Sequence, residues 1–307
     1  MDKKVIVIGS MNFDVCLKQE RLPEEGETYF ADSVEYCSGG KGGNQAVQSA
    51  KLGVPTYMVG CLGDDSSGDF LRSHLEGYGV HLDYLKTLHG TSGMSVAQSL
   101  YDGGVRASVV LGTNNRVTTA DVDALEGFIN PGDIAVFQLE IPIDVIDYAI
   151  DFCKKRGAYI VLNAAPAAPV PEGMLSRVDL LIVNELEAGF YCQTEISSPE
   201  KAKEEILKMA TALHNTCIFT LGKAGSVVCD GNRTEFVPSK KVQAVESTGA
   251  GDSFIGGCCY ALLSGMDIFE AARFATCCSA KTVCKTGGQP AMPTLEEVLK
   301  LYHGEEA

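Results

Sequence analysis

The run Ser247-Thr248-Gly249-Ala250-Gly251-Asp252 sets three small residues and an acid against the start of a helical pattern. Phe254, Ile255, Cys258, Cys259, Leu262 and Leu263 recur at i, i+4 spacing and mark one apolar helix face. Small residues let backbone N–H groups crowd round a ligand, and a helix start adds unpaired donors and a partial positive charge. Gly249, Ala250 and Gly251 therefore suit an anion hole. Asp252 at its edge could take the proton of an attacking hydroxyl. The combination suggests phosphoryl transfer to an alcohol.

A second small-residue cluster, Ser38-Gly39-Gly40-Lys41-Gly42-Gly43-Asn44-Gln45, also precedes a helical pattern. It lacks the spacing of a Walker A loop. Lys41 and Asn44 offer directional donors to a ligand, or the stretch is a helix entry with a solvated lysine. Asn12 and Asp14 follow the first strand. They could grip two vicinal hydroxyls, or form a strand-end turn, which both residue types favour. Glu140 follows an apolar strand, where it could meet a ligand or serve as a helix N-terminal charge. Asn184 and Glu187 have the spacing of a capping box. The same pair could order phosphate oxygens and the waters of Mg²⁺. Thr220-Leu221-Gly222-Lys223-Ala224-Gly225 is a strand-end turn able to hold a nucleotide, though such a stretch is more often only a turn. The five histidines show no metal-ligand spacing, and no G-x-S-x-G elbow occurs.

These residues need a scaffold, and the apolar periodicity supplies one. Strand 4–9 opens the chain, followed by short strands near 13–18 and 29–37 around the turn at Pro23 to Gly26. Helix 42–52, strand 56–60 and helix 66–76 come next. Residues 92–101 and 105–111 form a hairpin pattern around Asp102-Gly103-Gly104. From 133 onward strands and helices alternate: strand 133–138, helix 143–155, strand 158–162, strand 178–183, a helix from Asn184, helix 199–213 and strand 216–220. Strands 225–229 and 233–237 then lead to helices 252–264 and 268–285. Such alternation implies a parallel sheet covered on both faces, with ligands at the carboxyl ends of its strands. The early strands break the alternation and read as a small β lid inserted at about 13–37 and 92–111. The expectation is one α/β domain over 1–307.

Composition narrows the function classes. Hydrophobic residues at 45% and charged residues at 21% suit a soluble globular chain. A net charge of −15 argues against nucleic-acid binding, which needs a basic footprint. It leaves room for a nucleotide held by backbone amides, a lysine and Mg²⁺. No apolar run reaches membrane-spanning length. The twelve cysteines include no Cys-x-x-Cys pair and fall partly on apolar helix patterns. They read as reduced, buried small residues of a cytoplasmic protein.

Asn12 and Asp14, the Gly39–Gln45 cluster, Glu140, Asn184-x-x-Glu187, Thr220–Gly225 and Thr248–Asp252 occur in the order seen in ribokinase-like carbohydrate kinases, which the chain resembles as far as Thr286-Gly-Gly-Gln-Pro290. The resemblance implies a three-layer α/β sandwich with a mostly parallel sheet and a β lid, often dimerised through that lid. It implies ATP-dependent, Mg²⁺-assisted phosphorylation of a sugar's primary hydroxyl, ribose foremost, with fructose-like sugars or nucleosides as alternatives. Asp252 would be the general base, its ionised form favoured by the helix start. Gly249, Ala250 and Gly251 would be the anion hole. Asn12, Asp14, Gly40, Lys41, Asn44 and Glu140 would hold the sugar. Asn184, Thr220, Leu221, Gly222, Lys223, Ala224, Gly225, Gly251 and Thr276 would lie along ATP, with Glu187 reaching Mg²⁺ through water. A monovalent cation such as K⁺ would draw on Glu246, Thr248, Thr282, Lys285, Gly287 and Ala291. There the family has an aspartate where Glu246 stands and a serine where Ala291 stands. Polar Gln98 is expected near the sugar face of the lid. A sugar-binding regulator without catalysis is the reading from another class; the intact Gly249–Asp252 run argues against it.

Overall fold

The computed structural model describes residues 2–101 and 105–305. Its strands, in chain order, are β1 (Val5–Ile8), β2 (Asn12–Gln19), β3 (Ser33–Gly39), β4 (Thr56–Gly63), β5 (His81–Leu88), β6 (Gly93–Leu100), β7 (Val105–Val110), β8 (Ile134–Gln138), β9 (Tyr159–Asn163), β10 (Leu180–Asn184), β11 (Thr216–Thr220), β12 (Gly225–Cys229) and β13 (Thr234–Pro238). The helices are α1 (Lys41–Lys51), α2 (Ser66–Gly77), α3 (Thr119–Asp123), α4 (Ile143–Lys155), α5 (Glu185–Cys192), α6 (Pro199–Leu213), α7 (Ala250–Leu263), α8 (Ile268–Thr282) and α9 (Leu295–Tyr302).

Nine strands form one sheet in the order β13-β12-β11-β10-β9-β8-β1-β4-β5. It is parallel from β11 to β5, and β12 and β13 join antiparallel. Every residue of β1 is buried, as a central strand covered on both faces requires. Its side chains alternate between two cores. Val5 and Val7 pack with Val47 of α1, Phe254 and Ile255 of α7 and Ala275 of α8. Ile6 and Ile8 pack with Ile146 of α4, Ala188 of α5 and Ile206 of α6. Each large apolar side chain so buried contributes about 1.5–3 kcal/mol. The fold is thus the covered parallel sheet that the alternation implied and the three-layer sandwich that the resemblance implied.

Helix α7 is pressed unusually close to its neighbours. A Cβ on Gly256 would lie 2.7 Å from the Gln48 side chain in α1, and one on Gly257 would lie 2.7 Å from Cys278 Sγ in α8. Cys258, Cys259, Cys277 and Cys278 are buried free thiols filling these narrow interfaces. This packing fixes the helix that begins at Ala250, among the residues expected to form an anion hole.

Four strands form the separate small sheet, ordered β3-β2-β6-β7. Asp14 is registered with Cys37 on one side and Ser95 on the other. Phe13, Val15, Leu17, Tyr36, Val96 and Gln98 share the opposite face. Gln98 therefore does not stand on the face of Asp14, contrary to expectation; strand alternation from Ser95 puts it on the other side.

Some boundaries also differ. β3 begins at Ser33 rather than 29. β5, unanticipated, is a half-exposed edge strand whose residues lack an apolar run. α3 and α9 are likewise additions, and α8 ends at Thr282 rather than 285. α7 begins at Ala250, so Asp252 lies in its first turn. The turn expected at Asp102-Gly103-Gly104 lies outside the described residues. No helix among the described residues is long and apolar enough to cross a membrane.

Candidate active site

Four neighbouring parallel strands end in a polar residue: Gln138 on β8, Asn163 on β9, Asn184 on β10 and Thr220 on β11. Gln138 is registered with Asn163, and Asn184 with Thr220. They form a polar rim at the carboxyl edge of the sheet, where parallel folds bind ligands. A cavity of about 180 Å³ opens there, lined by Lys41, Asn163, Asn184, Glu187, Thr220, Gly249, Gly251 and Asp252.

The start of α7 enters this cavity. Gly249 is its N-cap with φ 77°, a left-handed conformation that glycine adopts without steric cost. No side chain caps the helix, but Ala250 N donates to Ser247 O at 3.2 Å, so of the three expected anion-hole donors Ala250 is already partnered. Asp252 Oδ2 accepts from Asn44 Nδ2 at 2.9 Å, and Oδ1 accepts from Gln45 Nε2 at 2.9 Å. Gln45 is held in turn by Gln138, whose Nε2 donates to Gln45 Oε1 at 2.6 Å, and its own amide also reaches Asn163. Gln289 Nε2 donates to Asn44 Oδ1 at 3.0 Å. Burial raises the Asp252 carboxyl pKa, while the Lys41 ammonium and the two amides pull against it. The preference for the ionised form expected of the helix start is opposed by this desolvation.

The sugar candidates gather on the lid side. Burial raises the Asp14 carboxyl to about 6, against a hydrogen bond from Ser95 and with help from Glu140 and Asp252. Desolvation would lower the Lys41 pKa, but the carboxylates of Asp252, Glu140 and Glu187 raise it on balance. Glu140 Oε2 accepts from Ser10 Oγ at 2.5 Å and from Lys41 N at 3.2 Å. It is thus an N-terminal charge for α1, not for the helix that follows it in the chain. Asn12 is buried and accepts from Asn114 Nδ2. Gly40 caps α1 with φ 82°, and a Cβ there would meet the Met11 backbone at 2.7 Å.

On the nucleotide side, Asn184 and Glu187 complete the capping box of α5. Glu187 still lines the cavity, where burial raises its carboxyl pKa. Of the 220–225 turn only Thr220 lines this cavity. Leu221 is buried in the core, Gly222–Ala224 is a short 3-10 turn, and Gly225 packs against Val237. Thr276 does not reach the cavity either. Its hydroxyl donates to Ala272 O, and it borders a neighbouring cavity of about 420 Å³ with Pro238, Ser239 and Arg273.

Among the described residues no three His, Cys, Asp or Glu side chains cluster as a metal site. Glu187, buried beside Asp252 and Lys41, fits an outer role toward Mg²⁺, which keeps most of its waters and takes phosphate oxygens. The monovalent-cation candidates divide. Glu246 Oε2 accepts from Gly287 N at 3.1 Å. Thr282 is committed elsewhere: its hydroxyl bonds Ser253 and Cys278 O, and its carbonyl takes Lys285 N. The Lys285 ammonium pairs with Glu297, and Ala291 offers no side-chain oxygen.

Gln45, Gln138, Asn163, Gln289 and Ser10 were not singled out from the sequence. The signal for two of them was present, since Gln138 and Asn163 each terminate an otherwise apolar strand.

An uncapped helix start facing an amide-held carboxylate and a lysine, under a small β-sheet, is the arrangement of a phosphotransferase that acts on a hydroxyl. Residues 2–295 match the pfkB family carbohydrate kinase, and the chain belongs to that family. It is 36% identical over 301 residues to the ribokinase of Bacillus subtilis, covering 97% of this chain and 99% of the relative. It is 29% identical over 296 residues to the deoxyribokinase of Salmonella typhi, covering 95% and 96%. The structure of Arabidopsis thaliana ribokinase complexed with ribose and ATP superposes with a TM-score of 0.88 at 31% identity, covering 98% of this chain and 99% of that one.

Proposed function

We propose that the protein transfers the γ-phosphoryl group of ATP to the primary hydroxyl of ribose. The observation that carries this reading is Asp252, buried at the uncapped start of α7 and held through both oxygens by Asn44 and Gln45. Asp14 and Asn12 bind vicinal hydroxyls from the lid side. Lys41 and Glu140 close the sugar site from α1. Asp252 takes the proton of the attacking hydroxyl, and the N–H groups of Gly249 and Gly251, which line the cavity, hold the charge that develops on the phosphoryl oxygens. Alignment and charge stabilisation are the main demands of this reaction. Mg²⁺ would supply charge neutralisation, with Glu187 placed to orient its waters. Asn184 and Thr220 face the phosphates, and Ser239 and Thr276 border the nucleotide's far end.

A deoxyribokinase among the relatives makes 2-deoxyribose the informative competitor. A site built to hydrogen-bond a hydroxyl rejects the analogue lacking it, because its polar groups stay unpaired. ADP release is measured across pentoses, hexoses and nucleosides. Ribose is expected to lead 2-deoxyribose by more than about tenfold in kcat/KM; the reverse order overturns the ribose assignment.

Monovalent-cation activation is proposed through Glu246 and the carbonyls of Thr248, Lys285 and Gly287. Equal rates in K⁺ and in a tetraalkylammonium buffer would remove it. The chain is read as one ribokinase-like domain, lid included, dimerising through the lid. The twelve free thiols suit the reducing cytoplasm.

A further inference from the structure

Eight of the twelve free cysteines are buried and four are half-buried. Two of the four, Cys16 and Cys37, lie on adjacent antiparallel strands of the lid. Asp14 is registered with Cys37, and Cys16 with Glu35, so the two thiols form a diagonal pair on the face that carries Asp14. The two thiols lie close enough for each to perturb the other. Cys37 also lines a cavity of about 330 Å³ between β3, His74 of α2 and the Gly287–Pro290 loop. A small oxidant reaches it there without unfolding of the lid.

We propose that Cys16 and Cys37 are a redox-responsive dithiol, closing to a disulfide across the lid under a peroxide and weakening sugar binding. The neighbouring Cys16 thiol lowers the Cys37 pKa, which favours Cys37 as the first nucleophile. Its thiolate attacks one oxygen of hydrogen peroxide. The O–O bond breaks, hydroxide leaves and takes up a proton, and Cys37 becomes a sulfenic acid. The Cys16 sulfur then attacks the Cys37 sulfur, the S–O bond breaks, and water leaves with the Cys16 proton. The two sulfurs lose two electrons in all, which reduce the peroxide to two waters.

A disulfide holds its Cα atoms about 4.4–6.8 Å apart, so closure pulls β3 along β2. Ser38 and Gly39 follow Cys37 directly. Gly39 lies against Asp14 so closely that a Cβ on it would collide with the carboxylate. Moving Gly39 therefore moves the group proposed to grip the sugar. The Glu246 charge lies near both thiols, so the closure sits between the sugar site and the Gly287 loop.

The test treats the full-length enzyme with hydrogen peroxide, alkylates the remaining thiols and maps peptides by mass spectrometry, with ribose KM measured in parallel. The expected result is a linkage between the Cys16 and Cys37 peptides and a several-fold rise in KM, both reversed by dithiothreitol. Cys16→Ser should keep basal activity, lose the linkage and accumulate a dimedone-reactive sulfenic acid at Cys37. Two thiols that remain alkylatable after treatment overturn the proposal. So does a linkage with unchanged KM, or an equal loss of activity in the Cys16→Ser/Cys37→Ser variant. The peptide map reads the linkage whatever the substrate, so failure of the kinase assignment would show separately, as absent turnover in the untreated enzyme.

Discussion

Asp252 is the proposed general base, and its neighbours bear on its pKa. Burial raises its pKa, and one ammonium and two amide donors pull against that rise. Asp252→Asn should keep ribose KM near wild type while kcat falls by about 10²–10⁴, the usual contribution of a general base; near-normal turnover would remove Asp252 from that role. Gln45 acts through Asp252 as a positioning residue. Gln45→Met deletes one charge-assisted hydrogen bond, worth about 1.5–3 kcal/mol. The expected outcome is a lower kcat and an acid limb of the pH–rate profile moved to higher pH, since the ionised carboxylate has lost a donor. An unmoved limb would leave Gln45 a purely structural role. Asp14 titrates near 6 because of burial. Ribose KM should therefore rise as pH falls through about 6, where the carboxylate loses its acceptor charge. The stability sign is opposite. The folded carboxyl binds its proton more tightly than the unfolded one, so between pH 6 and 4 this group stabilises the free protein as pH falls. Thermal melts of wild type and Asp14→Asn across that window read the difference.

At the scale of elements, α7 has to be close-packed along its length yet open at its first turn. Two of its glycines divide those tasks. A Cβ on Gly251 meets nothing within 4 Å, whereas one on Gly256 meets Gln48 at 2.7 Å. Gly251→Ala should leave the melting temperature unchanged and reduce turnover, because the methyl group enters the space the phosphoryl group needs. Gly256→Ala should instead cost about 1–3 kcal/mol of stability by overpacking. Equal behaviour of the two variants in melts and in rate would contradict that division. Helix periodicity made α6 legible to its ends, Pro199–Leu213, because Ala202, Ile206 and Met209 form one buried face behind a Ser198 cap. β5 was not legible, because an edge strand half in solvent carries no apolar run.

For the molecule as a whole, the lid is the surface through which the proposed dimer would form. Val34, Tyr36 and Val110 are exposed on the face opposite Asp14. An apolar sheet face of this kind favours a partner of the same kind, and a stable interface needs about 800 Å² from each side. Tyr36→Lys combined with Val110→Asp should convert the proposed dimer to monomer in light scattering, with ribose KM raised if each lid supports the other. A monomeric wild-type protein would end that proposal.

Glycine runs, the order of the polar motifs and the alternation of apolar segments are local properties, and the sequence alone determined from them an α/β kinase, with Asp252 proposed as its base. The Asn184–Glu187 box was visible for the same reason, since its partners lie three residues apart. The network of Gln138, Gln45, Asn44 and Gln289 round Asp252 joins residues as far apart as 245 positions, and only the folded chain brings their amides within hydrogen-bond reach. Tertiary structure likewise decided which lid face Gln98 occupies, that Thr282 is spent on helix packing, and that Glu140 charges the start of α1. Each of these depends on register or on a neighbour from a distant segment, which no local spacing encodes.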